Sequence, residues 1–222
     1  MRHIAAAAFF LALLPCAASA QVASDAAQPS IVLPNDGDDY SHLIAQAAAR
    51  NASTDFRALR FAWLTSAARK RQSELILGGL TQEMMAAAQA EDHGKVRAKA
   101  VEILSARYTD MRAHLYLSMS CEKLRDTACA EQAAFVARGM FQSILKSGDG
   151  KTCDTGWDVA LISEEYTVLS VMGLRMQQQA LINGQNHPCD AMTATNEKGE
   201  SVTHFFKIDR IMADHKNMLG FK

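Results

Sequence analysis

Residues 130–150 read AEQAAFVARGMFQSILKSGDG, and this stretch carries the clearest amphipathic pattern in the chain. Its apolar side chains recur three and four residues apart, which predicts a helix with one buried face. The stripe consists of Ala130, Ala133, Ala134, Ala137, Met140, Phe141, Ile144 and Leu145. It ends at Ser147-Gly148-Asp149-Gly150, a sequence that favours a turn. Because the hydrophobic period changes after this turn, we predict a helical domain over 40–146 and a second domain over 147–222.

The first of these segments is predicted to be helical throughout. No proline occurs from Asn35 to His187, and alanine, leucine and methionine dominate, which suits helices. Apolar stripes run over 56–67 and 96–104, and a short turn at 91–94 separates two of the helices. Such pairs resemble tetratricopeptide-like antiparallel hairpins, of which about two units of roughly 34 residues can be traced. Because a solenoid needs about three units, we expect these helices to pack on another domain.

The second segment is predicted to be a small α+β domain. Its elements are strands at 157–162, 179–182, 190–195 and 202–208, with helices at 164–174 and after Asp209. The last two strands flank the turn Asn196–Gly199 and alternate in polarity, as in a hairpin. The predicted fold class is therefore α+β, mainly α: N-terminal antiparallel helical hairpins packed on a short, mostly antiparallel sheet.

The N-terminus has the features of a cleaved secretory signal. A basic start is followed by an apolar run from Ile4 to Leu14 and by Ala18-Ser19-Ala20, so we predict cleavage after Ala20 and a signal peptide over 1–20. The apolar run is shorter than the roughly 20 residues that span a bilayer. Lipoprotein processing at Cys16 is a weaker alternative because Pro15 precedes it. Residues 21–39 are polar and contain proline, which predicts a flexible leader. The cleaved signal predicts a periplasmic or secreted protein.

Charge and cysteine content narrow the class of protein further. The formal net charge is −1 and becomes slightly more negative once Arg2 is removed, so nothing favours nucleic acid as a partner. No later segment is apolar enough to cross a membrane. Four cysteines remain after cleavage, and an even number in an exported chain suggests disulfides. Of the three possible pairings, we predict Cys121–Cys129 across a helical turn and Cys153–Cys189 in the C-terminal third.

The turn Ser147-Gly148-Asp149-Gly150 is a candidate ligand-binding loop. Its glycines permit positive φ and close backbone approach, so the loop could hold an anion. The competing interpretation is structural, because Gly148 stands where a helix C-cap glycine belongs and Asp-Gly is a common turn. A nucleotide-binding phosphate loop is excluded, since no Gly-Lys-Ser or Gly-Lys-Thr ending follows.

The sequence Glu164-Glu165-Tyr166 is a second candidate. Glu165 and Tyr166 could bind a ligand or act as an acid–base pair in a cleft. Acidic residues in a first helical turn also simply favour the helix dipole, and Tyr166 with Leu169 would face the core.

Complete metal and catalytic signatures are missing from the sequence. Asp149, Asp154 and Asp158 lack the spacing of an EF-hand loop, and the six histidines after the signal peptide form no zinc-binding pair. His114 and His204 are expected to be hydrogen-bonded and buried. No Gly-x-Ser-x-Gly elbow occurs. We therefore predict no cofactor, no metal and no catalytic residue.

With these elements placed, the chain resembles a bacterial family known only as domain-of-unknown-function family 4919, over about residues 40–209. The most specific match is the run from Gly139 to Gly150, followed by Glu164-Glu165-Tyr166 and Gly173-Leu174. Leu59-Arg60-Phe61-Ala62 is a weaker match. Many relatives are exported, which agrees with the N-terminus, but the resemblance implies no activity.

The chain departs from the family pattern at three positions. Cys153 and Cys189 stand where a small residue and a tyrosine are expected, as a gained disulfide would require. Ala133 stands where relatives tend to carry a histidine in the long helix, which argues against any mechanism that needs that histidine.

The leading functional hypothesis is a helical-repeat-like binding or interaction module of the cell envelope, whose partner is an envelope protein or peptide. The alternative is an envelope enzyme that uses Asp149, Glu165 and Tyr166 in a cleft at the helix-to-sheet junction. A third hypothesis is a purely structural role in which both halves form one unit.

Overall fold

The computed structural model describes residues 29–218, and within them the fold is α+β and mainly helical, as predicted. The predicted signal peptide and the first part of the predicted leader lie outside the described residues. The helices are α1 (Asp39–Ala48), α2 (Phe56–Ala62), α3 (Ala67–Lys70), α4 (Glu74–Gln89), α5 (His93–Ala106), α6 (Met111–Lys123), α7 (Thr127–Leu145), α8 (Ile162–Val171) and α9 (Asp209–Met218). The strands are β1 (Trp157–Asp158), β2 (Arg175–Asn183), β3 (Pro188–Thr195) and β4 (Ser201–Lys207).

Short polar side chains define where the helices begin. At the N-caps of α1 to α7 a carboxylate or hydroxyl oxygen accepts a hydrogen bond from the backbone N–H three residues later, whereas Leu161 at the N-cap of α8 forms no such bond. These caps are Asp38, Asp55, Ser66, Ser73, Asp92, Asp110 and Asp126. The Ser66 cap explains why the predicted helix over 56–67 is not continuous. A turn of 3-10 helix, Trp63–Thr65, follows α2, and extended backbone at Ser66 then starts α3.

Three helices end in the same way, with a non-glycine residue in the left-handed region. Arg50, Glu91 and Arg125 have φ of 53°, 55° and 60°. The N–H of each residue, and that of the residue after it, donates back into the preceding helix, which satisfies carbonyls that the helix end leaves free. In the α4–α5 and α6–α7 turns the next residue, Asp92 or Asp126, is the cap of the following helix. The two turns are thus built alike.

The sheet is mixed, with strand order β1-β4-β3-β2. The predicted hairpin is confirmed: β3 pairs antiparallel with β4, and β2 pairs antiparallel with β3. β1 pairs parallel with β4 and is shorter than predicted, because the chain turns after Asp158 and α8 begins at Ile162. The side chains of Glu164 and Glu165 are buried in this helix.

Two apolar clusters form the core. The larger one takes side chains from both predicted domains, including Tyr40, Trp63, Met140, Val168 and Phe206. The smaller one lies among α4, α5, α6 and α7. Ile31, in the last part of the predicted leader, packs against both clusters. The helical segment and the sheet segment therefore share one hydrophobic core.

Both predicted disulfides are present. Cys121–Cys129 joins the end of α6 to the start of α7. Cys153–Cys189 joins the loop after α7 to β3 across a separation of 36 residues. Within residues 29–218, no helix is both long enough and apolar enough to traverse a lipid bilayer.

Candidate functional site

The predicted loop Ser147–Gly150 uses most of its polar groups to hold its own shape. The N–H groups of Asp149 and Gly150 both donate to the Thr155 carbonyl, at 2.9 and 3.0 Å. The Asp149 carboxylate accepts hydrogen bonds from the Lys151 N–H and the Thr155 hydroxyl, and these bonds lower its pKa. Because both N–H groups already have protein acceptors, this arrangement favours the structural interpretation of the loop.

Ser147 and Gly148 connect the end of α7 to β1. The Ser147 hydroxyl donates to the Ile144 carbonyl at 2.6 Å and accepts from the Asp158 N–H at 2.7 Å. The Trp157 indole N–H donates to the Gly148 carbonyl at 3.1 Å. A side chain at position 148 would collide with the carbonyls of Thr155 and Gly156, so only glycine allows this approach.

Glu165 and Tyr166 belong to a different network, at the face where α8 packs on the sheet. Glu165 is fully buried, and burial, reinforced by the neighbouring Asp190 carboxyl, raises its pKa to about 9. The Tyr166 hydroxyl donates to Gln179 Oε1, and Gln179 Nε2 donates to Asp190 Oδ2, both at 2.6 Å. The structure therefore links Tyr166 to Asp190 through Gln179 and places Glu165 beside Asp190, while Asp149 takes its hydrogen bonds on an exposed loop elsewhere.

A cavity of about 670 Å³ lies between α2 and the C-terminal half of α7. Of the predicted site residues, Ser147 lines this cavity. The other lining residues are Ala52, Thr54, Asp55, Phe56, Arg57, Phe135, Arg138, Gly139, Gln142, Ser143, Lys146 and Asp158. The cavity thus includes part of the run Gly139–Gly150 that carries the family resemblance. Its volume lies in the range of about 300–1,000 Å³ that is typical of small-ligand sites.

Gly139 sets the shape of one end of the cavity. An added Cβ at this position would overlap the Phe56 ring, so the absence of a side chain lets that ring lie directly against α7. The Phe56 ring also meets the Phe135 ring edge-to-face, with ring centroids 5.5 Å apart. Asp55 fixes the start of α2 because its carboxylate accepts from the Ala58 N–H at 2.8 Å. The Phe56 and Phe135 rings therefore form an aromatic part of the cavity wall.

A buried ion pair, Arg60 with Glu164, lies next to the cavity wall and contacts it. The Arg60 side chain is fully buried, and its Nε and Nη2 each donate to a Glu164 carboxylate oxygen at 2.9 Å. Arg60 also donates to the Ser143 hydroxyl at 3.1 Å and to the Asp158 carbonyl at 2.7 Å. Glu164 Oε2 further accepts from the Ala160 N–H at 2.8 Å. Because Ser143 and Asp158 also line the cavity, this pair fixes two points of its wall.

The charges at the cavity are unequally compensated. Asp158 forms ion pairs with Arg57 and Lys207, at 2.5 and 3.0 Å. Burial acts to raise the pKa of Asp158, but the hydrogen bonds from these two cations outweigh burial and lower it. Arg138 and Lys146 are exposed, and neither forms an ion pair or a side-chain hydrogen bond with any residue in the described part of the chain.

Sequence reasoning missed most of this cavity, because its walls come from segments far apart in the chain. One signal was available: Arg138, Gln142 and Lys146 recur every four residues, so they mark one polar face of α7 opposite its apolar stripe. A second signal was Arg60, a charge within the apolar stripe Leu59–Trp63, since a buried arginine needs an acidic partner.

The two histidines predicted to be buried, His114 and His204, contact residues of the core. His114 is buried on α6, its Nε2 lies 2.8 Å from the Tyr108 carbonyl, and burial lowers its pKa to about 4. His204 is partly buried, and its ring lies 4.8 Å from the Trp157 ring. Burial lowers the pKa of His204 as well.

Metal-ligand types converge once among the described residues. Cys121, Asp126 and Cys129 bring one ligand atom each to within 4.8 Å of one another. The two cysteines are joined in a disulfide, however, so their sulfur atoms are not thiolate ligands. Asp149, Asp154 and Asp158 form no such group in residues 29–218.

Comparison with known proteins yields one match. No curated protein and no solved structure is significantly similar to the chain. The family model described as "Domain of unknown function (DUF4919)" matches residues 66–217, which is more than half of the chain. The predicted resemblance is confirmed, although the match begins and ends later in the sequence than expected. The chain belongs to the DUF4919 family.

Proposed function

We propose that this chain is an exported binding protein, periplasmic or secreted, and that the cavity between α2 and α7 is its ligand site. The observation that carries the proposal is the cavity of about 670 Å³, supported by the buried Arg60–Glu164 pair. Walls that are already fixed reduce the ordering cost of binding, which favours a binding role. Two disulfides suit a protein of an oxidising compartment and so support the export that the N-terminal sequence predicts.

Helical-repeat character is part of this proposal. The turns α4–α5 and α6–α7 share a left-handed residue followed by an aspartate cap, and α4, α5, α6 and α7 pack on their neighbours in chain order. Repeated helical pairs commonly present binding surfaces for proteins or peptides. An envelope protein or peptide that inserts one side chain into the cavity is therefore a suitable partner.

The enzyme alternative has less support. It requires Asp149, Glu165 and Tyr166 to act on one substrate. The hydrogen bonds of Asp149 close its own loop, whereas Tyr166 reaches Asp190 through Gln179. None of these three residues lines the cavity between α2 and α7. A binding role accounts better for the arrangement of polar groups.

Fragment screening by NMR tests the proposal on the exported protein. The probes are a library of small fragments that contains anionic, cationic and neutral members, and the readout is the backbone and side-chain amide signals. We expect bound fragments to shift the signals of Gln142 and Ser143, which line the cavity. Substitution Gln142→Trp should abolish the shift of the Ser143 signal, because the indole would occupy the part of the cavity beside Ser143.

The matched control is Gln82→Trp, which places the same side chain at an exposed position of another helix, α4. This variant should bind fragments as the unmodified protein does. Fragments that shift only signals remote from the cavity, or that still bind to Gln142→Trp, would disprove the proposed site.

A further inference from the structure

The charges that line the cavity favour one class of ligand. Three cations, Arg57, Arg138 and Lys146, and two carboxylates, Asp55 and Asp158, face it. Both carboxylates are already engaged within the fold. Asp55 accepts the capping hydrogen bond of α2, and Asp158 is paired with Arg57 and Lys207. Arg138 and Lys146 remain without acidic partners among the described residues, so the cavity has an excess of positive charge.

These two cations are spaced so that they can act together. Arg138 and Gln142 lie on α7 and Lys146 is its C-cap residue, at intervals of four residues and still in helical conformation, so the three share a face of the helix. At about 1.5 Å per residue, the two cations start about 12 Å apart along the helix axis. Both have long side chains, and an anion above Gln142 is within reach of both. The Gln142 amide is exposed and makes no side-chain hydrogen bond within residues 29–218, so it is a further donor.

The part of the cavity wall next to Arg138 is apolar. The edge-to-face pair Phe56 and Phe135 forms its wall, and both rings are only partly buried. Partly exposed aromatic surface beside two unpaired cations matches a ligand that has a ring at one end and a negative charge at the other. The neighbouring Ser143 hydroxyl is already used, since it donates to the Met140 carbonyl and accepts from Arg60. The unpaired cations therefore provide the charge recognition.

We infer that the cavity binds a small ligand, or a ligand side chain, in which a carboxylate or phosphate group lies next to an apolar ring. Arg138 and Lys146 bind the anionic group, and Phe56 with Phe135 contacts the ring. This inference rests on the proposed function, because it names the class of ligand for the same cavity.

Titration with three related probes tests the ligand class. N-acetylphenylalanine presents a ring and a carboxylate, phenyl phosphate presents a ring and a phosphate, and N-acetylphenylalaninamide is the neutral control. We expect one or both anionic probes to shift the signals of the cavity residues and the amide to bind at least about tenfold more weakly. The stronger of the two anionic probes identifies the anionic group. Added salt should weaken the binding of either anion.

The double variant Arg138→Gln with Lys146→Gln should reduce the affinity for the anionic probe by about tenfold or more. Its matched control is Lys95→Gln with Lys123→Gln, which removes the same net charge from exposed helical positions outside the cavity. The control should bind the probe as the unmodified protein does. Because all four side chains are exposed, both variants should keep the thermal unfolding temperature of the unmodified protein, and this is measured alongside.

The outcomes separate the two proposals. Equal binding of the neutral amide, or unchanged affinity of the Arg138 and Lys146 variant, would overturn the ligand class. The binding function would still stand if neutral fragments shift the cavity signals. If neither the three probes nor any library fragment perturbs the cavity, the binding function fails together with the ligand class.

Discussion

Neutralising Glu164 should cost the protein a large part of its stability. In the substitution Glu164→Gln, the amide places an N–H₂ group where a carboxylate oxygen now accepts from Arg60 or from the Ala160 N–H. A donor then faces a donor, and the Arg60 guanidinium stays fully buried without a counter-charge. Breaking a buried ion pair from one side costs about 3–5 kcal/mol. For a protein of this size, this loss lowers Tm by about 6–20 °C.

Urea and thermal unfolding of the protein measure this loss. The control is Glu131→Gln, the same chemical change in the exposed pair of Glu131 with Arg50, where the side chains are 56% and 49% exposed. This control should lose less than about 1 kcal/mol, because water already solvates both charges. If Glu164→Gln destabilises the protein no more than Glu131→Gln does, the buried pair does not hold the two segments together, and the argument for a preformed cavity wall fails.

Three further predictions concern the core and the covalent links. Burial raises the pKa of Glu165 from 4.5 to about 9, so at neutral pH the native state keeps a proton on this carboxyl that the unfolded state loses. The stability that Glu165 contributes is therefore greatest below pH 4.5 and declines as the pH rises to about 9. The variant Glu165→Gln should show a smaller decline in urea unfolding between pH 5 and pH 8, and an unchanged decline would contradict the pKa. Gly139→Ala forces a methyl group against Phe56 and should cost about 1–3 kcal/mol, whereas Gly79→Ala, with open space around it, should be neutral or stabilising in the same assay. Replacing both Cys153 and Cys189 by serine should cost about 4 kcal/mol of stability, whereas replacing both Cys121 and Cys129 should cost about 2.5 kcal/mol, because Cys121–Cys129 closes a shorter loop. Equal losses would contradict this chain-entropy argument.

Local patterns predicted the secondary structure well where neighbours in the sequence decide it. The stripe over 130–145 became α7, and alternation around Asn196–Gly199 became the β3–β4 hairpin. The prediction was wrong at Ile162, which starts α8 although the run from Trp157 reads as a strand. Local propensity could not predict that α8 begins at Ile162. The helix carries Glu164, which pairs with Arg60, and a local pattern contains no information on a contact between residues 104 positions apart.

The candidate site was harder to predict than the fold. Ser147 was identified from its turn, but the cavity itself depends on Phe56 lying against Gly139, two residues that nothing in the sequence connects. Glu165 and Tyr166 were chosen for their chemistry. The structure places them instead beside Asp190, which the pattern of strand β3 alone could not identify as their neighbour.

The Arg60–Glu164 pair also sets the order in which the chain can become compact. A polypeptide is synthesised from its N-terminus, so Arg60 emerges well before the residue that neutralises it, 104 positions later. Until α8 has emerged, the first half carries a guanidinium inside its apolar stripe and cannot close the larger core around it. A fragment that ends near residue 146 should therefore remain incompletely folded, and we expect the nascent chain to stay open until α8 is available.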